Sequence, residues 1–400
     1  MLEPIADVVI TSEERLHVYL IGSPDVAVPP RNYGGVEYIL GLLVALLAQL
    51  GHKVTLFAGH GSSVEGVRCV SLLREKSVVG GRAIFTREVA HAELARQFIL
   101  GEMREHPRWQ RKTVVHFHTD AVLPVGSLPC VVTAHNGPRM MLPAYYQQSD
   151  TRWAPLPTVV GISAANAVEC RAAGLSVPGY IYSDVPIGPI LNGASLTKGG
   201  FRGVKRYVAF LGRLDEDKGA ATAIQWLKTF NNGNPPEERL TLLIAAKRPD
   251  TPEAQSYFEN EVQPHLGEEV IFLGPIGGQD KIDFLSKALA LVFPIQWQEP
   301  FGLVPVEAMA AGTPVICRPL GGVRETVEDG VSGFWVHTPK EAVRAIRRVL
   351  AGDISREACQ AQAQRFASGM TPAYERLYEE LLSGLTSQEA FARVRDAGLI

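Results

Sequence analysis

The sequence predicts an α/β protein made of two doubly wound, Rossmann-like domains in tandem. Three observations predict it. Strand, glycine-bearing loop, helix and strand follow one another from Leu16 to Ala58, and the same alternation restarts at Tyr207. Between the two runs, Ala194 to Lys205 (A-S-L-T-K-G-G-F-R-G-V-K) is small, polar and glycine-rich, the composition of a linker. The chain has 400 residues, long for one core and suited to two. The domains then cover residues 1–195 and 204–369.

Composition narrows the class. A hydrophobic content of 46% with 38 Gly and 27 Pro suits a globular α/β chain with many strand–helix turns. A formal charge of −3 argues against nucleic acid as a partner. The five cysteines are scattered and lack C-x-x-C spacing, which disfavours a disulfide framework or zinc ribbon and points to a reducing cytoplasm. Met1 to Glu14 carries acids and lacks the basic and apolar regions of a signal peptide. The longest apolar segment, Val36 to Leu50, includes Glu37 and Gln49 and is too short to span a bilayer. It reads as a helix buried on most faces; weak peripheral membrane contact stays open.

In the first half, Leu16 to Gly22 is a strand and Pro24 to Arg31 a proline-rich loop. Gly34 and Gly35 open the apolar helix, either as a plain turn or as a close approach of backbone to a ligand. The dinucleotide fingerprint G-x-G-x-x-G is absent. Lys53 to Ala58, Val67 to Val70, Thr113 to Thr119 and Cys130 to Ala134 are strands, with a helix over Thr86 to Met103. His116 and His118 share one strand face, and His135 ends the next strand. Three readings fit: a His-x-His metal pair, histidines satisfied at strand ends, or contacts to a ligand at the carboxyl ends of parallel strands. Trp153 to Ser163 gives a further strand, Ser163 caps a helix to Ala173, and P-I-G-P-I-L before Asn192-Gly193 is strand-like.

The second half opens with the strand Tyr207 to Leu211 and a polar loop, Gly212 to Gly219. Arg213 and Lys218 flank a helix start, either as a clamp for a diphosphate or as surface charges. Asp215-Glu216-Asp217 matches the metal-binding D-x-D, but acids before a helix also cap it. Helices follow over Ala220 to Phe230, Glu253 to Val262, Asp280 to Ala290 and Lys340 to Ala351; strands follow over Leu240 to Ala246, Val270 to Leu273 and Gly333 to Val336. The densest stretch is Glu299 to Gly312. An apolar strand leads into a tight loop, and a helix begins near Leu303 with Pro305 in its first turn and Glu307 one turn in. N–H groups at Gly302-Leu303 attract phosphate, and the two carboxylates accept from hydroxyls. A sugar nucleotide offers both. Tyr374, Leu377, Tyr378 and Leu381 form a helical stripe that reads as core packing.

E-P-F-G-L-V-P-V-E-A-M-A-A-G-T-P-V-I resembles the E-x7-E signature of retaining glycosyltransferases of family 4, which have the GT-B fold. Other segments are similar in the family's order over about residues 16 to 383: P-P-R-N-Y-G-G-V-E, V-H-F-H, T-A-H-N-G, I-L-N-G and G-R-L-x-x-x-K-G. The resemblance implies two domains facing a central cleft, with a C-terminal helix in 370–400 packing back on the first. It implies transfer of a hexose from a UDP- or GDP-linked sugar to an acceptor hydroxyl, with retained configuration and no metal or other cofactor. It assigns catalysis to Glu299, His118, Arg213 and Lys218. Glu307, Gly302, Leu303, Gly274, Pro275, Lys247 and Gly35 take the donor nucleotide; Gly34, Tyr33, His135 and Asn136 take the acceptor side. Trp297 packs beside the donor sugar in this reading. Lys247 and Cys317-Arg318-Pro319-Leu320 depart from the family's small residues at those places. The acceptor is not legible (sugar, lipid-linked or small molecule). A nucleotide-sugar-binding protein without turnover, or a GT-B epimerase, is the alternative.

Overall fold

A computed structural model describes residues 15–30, 34–74, 81–137, 156–195, 200–247 and 251–400. The chain divides into two compact units: Glu3–Asp184 with Ser368–Ile400, and Val185–Ala367.

Among the described residues, the first unit holds a seven-stranded, wholly parallel sheet. Its strands are β1 (His17–Ile21), β2 (Lys53–Phe57), β3 (Arg68–Val70), β4 (Thr113–Phe117), β5 (Cys130–Ala134), β6 (Thr158–Gly161) and β7 (Gly179–Tyr180). They are ordered β3-β2-β1-β4-β5-β6-β7, with Val18 opposite both Val54 and Val114. The central strands are covered on both faces, so they read as apolar runs rather than as alternation. Helix α1 (Gly35–Gln49) buries Leu40, Leu43, Val44 and Leu47 and stops at Gly51, which is left-handed. Helix α2 spans Gly81–Glu105, longer than its sequence pattern shows. Helix α3 (Ala164–Ala172) starts where Ser163 accepts the Asn166 amide.

The second unit begins at Val185, earlier than the linker composition marks. The segment P-I-G-P-I-L, expected as a strand, is helix α4 (Ile187–Gly193). Pro186 precedes it and Pro189 falls in its first turn, where no backbone donor is needed. Ile187 and Ile190, one turn apart, are both buried, so the apolar spacing is helical. There follow β8 (Tyr207–Leu211), α5 (Ala220–Asn232), β9 (Thr241–Ala245), α6 (Pro252–Tyr257), β10 (Val270–Gly274), α7 (Gly278–Lys287), β11 (Leu291–Phe293), α8 (Leu303–Ala310), β12 (Val315–Cys317), α9 (Val323–Thr326), β13 (Gly333–Trp335), α10 (Pro339–Leu350) and α11 (Arg356–Gln364). After α6 the chain widens into a π turn over Phe258–Val262, which buries Phe258 and Val262. The parallel sheet is ordered β10-β9-β8-β11-β12-β13, so strand order reverses between β8 and β11.

The chain then re-enters the first unit as α12 (Met370–Leu382) and α13 (Ser387–Asp396). Tyr374 and Tyr378 of α12 are fully buried, and their hydroxyls reach Thr133 and His116. Phe391 of α13 fills the space above Gly179; a Cβ there would lie 2.1 Å from its ring. Among the described residues, no helix is long and apolar enough to cross a membrane.

Candidate donor site

Two loops leave the carboxyl ends of the neighbouring strands β8 and β11, where an open α/β sheet parts to receive a ligand. Their backbones touch. Gln296 N donates to Asp217 O at 2.8 Å. Gly219 has φ +75°, and a Cβ on it would stand 2.2 Å from the Pro294 carbonyl oxygen. Further along, Glu299 O accepts the Gly322 amide at 2.7 Å, and a Cβ on Gly321 (φ +62°) would meet that same oxygen at 2.4 Å. Glycines thus let three stretches close on one another and fix the backbone that carries Glu299.

The side chains converge in two ion pairs. Lys218 Nζ donates to Glu299 Oε2 at 2.6 Å, and Trp297 Nε1 donates to that same oxygen at 2.9 Å. The Lys218 ammonium lies 4.9 Å from the centre of the Trp297 ring. The indole N–H edge is turned to Glu299. One turn inside α8, Glu307 is 8% exposed and accepts from Lys281 Nζ of α7 at 2.6 Å. Between the acids, Gly302 (φ +94°) turns the chain into α8, and no side chain caps the helix start at Leu303.

Arg213, on the same loop as Lys218, is half exposed and pairs with Asp215 at 3.2 Å. Asp215 opens a short 3₁₀ turn over Glu216–Lys218 without a side-chain capping bond, so the expected capping role is not met. The start of α5 is served instead by Tyr257, whose hydroxyl accepts the Ala221 amide at 2.9 Å. Gly274 (φ +78°) ends β10 and accepts the Ala246 amide; Pro275 follows it, and exposed Lys247 ends the neighbouring strand. A cavity of about 570 Å³ lies beside α5, lined by Glu216, Gly219, Tyr257 and Gln296 among others, but not by Lys218, Glu299 or Glu307.

In the first unit the two histidines of β4 differ. His116 is satisfied at both nitrogens: Nδ1 pairs with the Tyr378 hydroxyl at 2.6 Å and Nε2 with Thr133 Oγ1 at 2.7 Å. With one ring nitrogen donating and the other accepting, neither is turned toward a metal shared with His118. His118 Nδ1 pairs with His135 Nε2 at 2.8 Å, and His118 Nε2 is buried without a partner among the described residues. Burial pushes His135 down to about 4 and His116 and His118 well below the usual imidazole range, so all three are neutral near pH 7. Gly34 (φ +151°) precedes α1, and Gly35 is its first residue; a Cβ on Gly34 would meet Glu37 Oε2 at 2.7 Å. Burial raises the Glu37 carboxyl. Asn136 Nδ2 donates to Asp120 Oδ2 at 3.4 Å. Tyr33 lies outside the described residues. Among the described residues, no group of three His, Cys, Asp or Glu side chains is arranged to hold a metal.

Lys281 and Tyr257 carry no sequence signal of their own. Each acts through a tertiary contact, with partners 26 and 36 residues away.

Residues 195–366 match the model of the family described as glycosyl transferases group 1. Spore coat protein SA of Bacillus subtilis is 29% identical over 184 residues, 45% of this chain and 48% of that protein. The D-inositol 3-phosphate glycosyltransferase of Streptomyces griseus is 41% identical over 85 residues, 21% of this chain and 18% of that one. The matched stretches thus span less than half the length of these relatives. HepE of Anabaena, solved in complex with UDP, is similar in structure with a TM-score of 0.62 at 18% identity, covering 92% of this chain and 100% of that one. Residues 195–366 thus resemble a glycosyl transferases group 1 domain, and the chain has the GT-B fold.

Proposed function

We propose that the protein is a retaining glycosyltransferase of family 4 that moves a hexose from a nucleoside-diphosphate sugar, UDP- or GDP-linked, onto an acceptor hydroxyl. The observation that carries the reading is the convergence of Lys218, Glu299 and Trp297 where β8 and β11 part, beside the uncapped start of α8. A helix start and a lysine suit a diphosphate; a carboxylate with one oxygen unengaged by the described residues suits sugar hydroxyls. Lys218, Arg213 and the N–H groups at Gly302-Leu303 neutralise the departing diphosphate as its charge grows. Glu299 accepts from the donor sugar, and Glu307 accepts from the ribose. Gly274, Pro275 and Lys247 border the nucleotide. His118 keeps a buried nitrogen for the transferred sugar.

In the reaction, the bond from the anomeric carbon to the diphosphate breaks and a bond from the acceptor oxygen forms on the same face. The acceptor proton passes to the departing phosphate. Glu299, tied to Lys218 and Trp297, is held as a hydrogen-bond acceptor rather than as a nucleophile. The cations already at the site do the work of a metal, so a chelator should leave the rate unchanged.

The test is a panel of UDP- and GDP-sugars with mixed sugar, lipid-linked and small-molecule acceptors, in buffer with and without a chelator. Release of nucleoside diphosphate with product of the donor's anomeric configuration, equal in both buffers, is expected. Donor binding without any release would make the protein a nucleotide-sugar binder instead.

A further inference from the structure

Both donors to Glu299 meet on one oxygen. Lys218 Nζ and Trp297 Nε1 donate to Oε2, while Oε1 has no hydrogen bond to the described residues. Under the donor reading above, on which this inference rests, Lys218 also serves the diphosphate. A dianionic diphosphate competes well with one carboxylate for an ammonium, and a lysine stem is long and flexible. If Lys218 were the sole anchor, the carboxylate would come loose just as the donor sugar arrived.

Trp297 answers that difficulty. It lies two residues from Glu299 on the same loop, which is held by the Asp217 and Gly322 backbone contacts. Its indole has few rotatable bonds, and its N–H can only donate. Its ring lies under the Lys218 ammonium, which gives the lysine an apolar-backed resting place beside either anion. We propose that Trp297 is a positioning residue: its indole N–H holds Glu299 Oε2 after Lys218 shifts to the diphosphate, which keeps Oε1 presented to the hydroxyls of the donor sugar. Trp297 thereby acts on recognition of the sugar and not of the nucleotide.

The variant Trp297→Phe keeps an aromatic face and drops the N–H; Trp297→Leu drops both. Trp297→Phe should bind UDP or GDP within about twofold of the wild type by calorimetry, while kcat/KM for the donor falls about 10- to 100-fold, the worth of one hydrogen bond to a charged group. In a Glu299→Gln background the same change should add little, since the two residues act as a unit. Trp297→Leu should lower diphosphate affinity as well, through Lys218. Unchanged kcat/KM in Trp297→Phe, or a loss equally large in the Glu299→Gln background, would overturn the proposal. A fall in diphosphate affinity as large as the fall in kcat/KM would do the same, by making the role structural. A wild type that binds neither nucleoside diphosphate would overturn the donor reading itself, and this inference with it.

Discussion

Lys281 and Glu307 join two consecutive helices of the second unit, with 2.6 Å between Nζ and Oε1. Glu307 is nearly buried and the Lys281 side chain is 28% exposed, so the pair sits at the rim of the core rather than free in solvent. One carboxylate oxygen is taken by Lys281; under the proposed function the other accepts from the ribose. Lys281→Met removes the anchor and leaves a poorly solvated carboxylate unpaired. Affinity for the nucleoside diphosphate should fall about tenfold, with donor KM rising and kcat little changed, because the ribose contact is the same in ground and transition state. Lys281→Arg should recover part of it. Calorimetry and steady-state kinetics read both.

Gly219 and Pro294 define a second constraint. The backbone of Gly219 is left-handed, and its missing side chain is the space occupied by the Pro294 carbonyl at 2.2 Å. An alanine there meets strain and collision together, and the colliding atom is backbone with no easy escape. Gly219→Ala should cost about 2–4 kcal/mol in urea unfolding. Activity should fall more than folded fraction accounts for, since Lys218 is the adjacent residue.

Local features of this chain were readable and tertiary ones were not. The apolar run of β4 marks a strand buried on both faces, and Ser163 before its helix marks a cap, because each depends on neighbours in sequence. The loop from Glu299 to Leu303 is likewise a local arrangement, and its acids and glycine emerge together. P-I-G-P-I-L misled because two prolines and two isoleucines fit a short extended run as well as a first helical turn. Only the burial of Ile187 and Ile190 on one side decides. His116 and His118 looked alike because what separates them is Tyr378, 262 residues from His116. Trp297 and Lys281 gained their parts from hydrogen bonds that no spacing encodes.

The two histidines of β4 should separate in experiment. His116 links β4, β5 and α12 through Tyr378 and Thr133, and Thr133 in turn holds Tyr374 at 2.6 Å. His116→Ala strands buried hydroxyls and opens a cavity, so a loss of about 2–4 kcal/mol in stability is expected. His118→Ala removes a ring with one nitrogen unengaged by the described residues. Its effect should appear mainly in turnover, at least about 100-fold, with nucleoside diphosphate affinity unchanged. Chemical denaturation and transfer assays on both variants distinguish the roles; the opposite pattern would reverse them.

Asp184 sets a pH dependence of stability. It is the last residue of the first unit before the chain leaves it, and it caps α12 from a distance: its Oδ1 accepts the Met370 amide at 3.0 Å, with the Gly369 and Thr371 amides close by. Gly369 has no side chain to cap the helix itself. Burial outweighs these amides and pushes the carboxyl up to about 6. An acid whose folded value lies above its unfolded value favours folding when protonated. That contribution is fully present below about pH 4 and is lost as pH rises through about 6. The variant Asp184→Asn cannot ionise and lacks this dependence. Relative to wild type, its stability should therefore rise by about 2 kcal/mol between pH 4 and pH 7 and level off above. At the acid end the variant should be the less stable of the two, since an amide places its oxygen among three donors less freely than a carboxylic acid. Urea unfolding of both proteins across that range measures the difference, and a flat difference would show that Asp184 ionises in the native protein as it does in the unfolded chain.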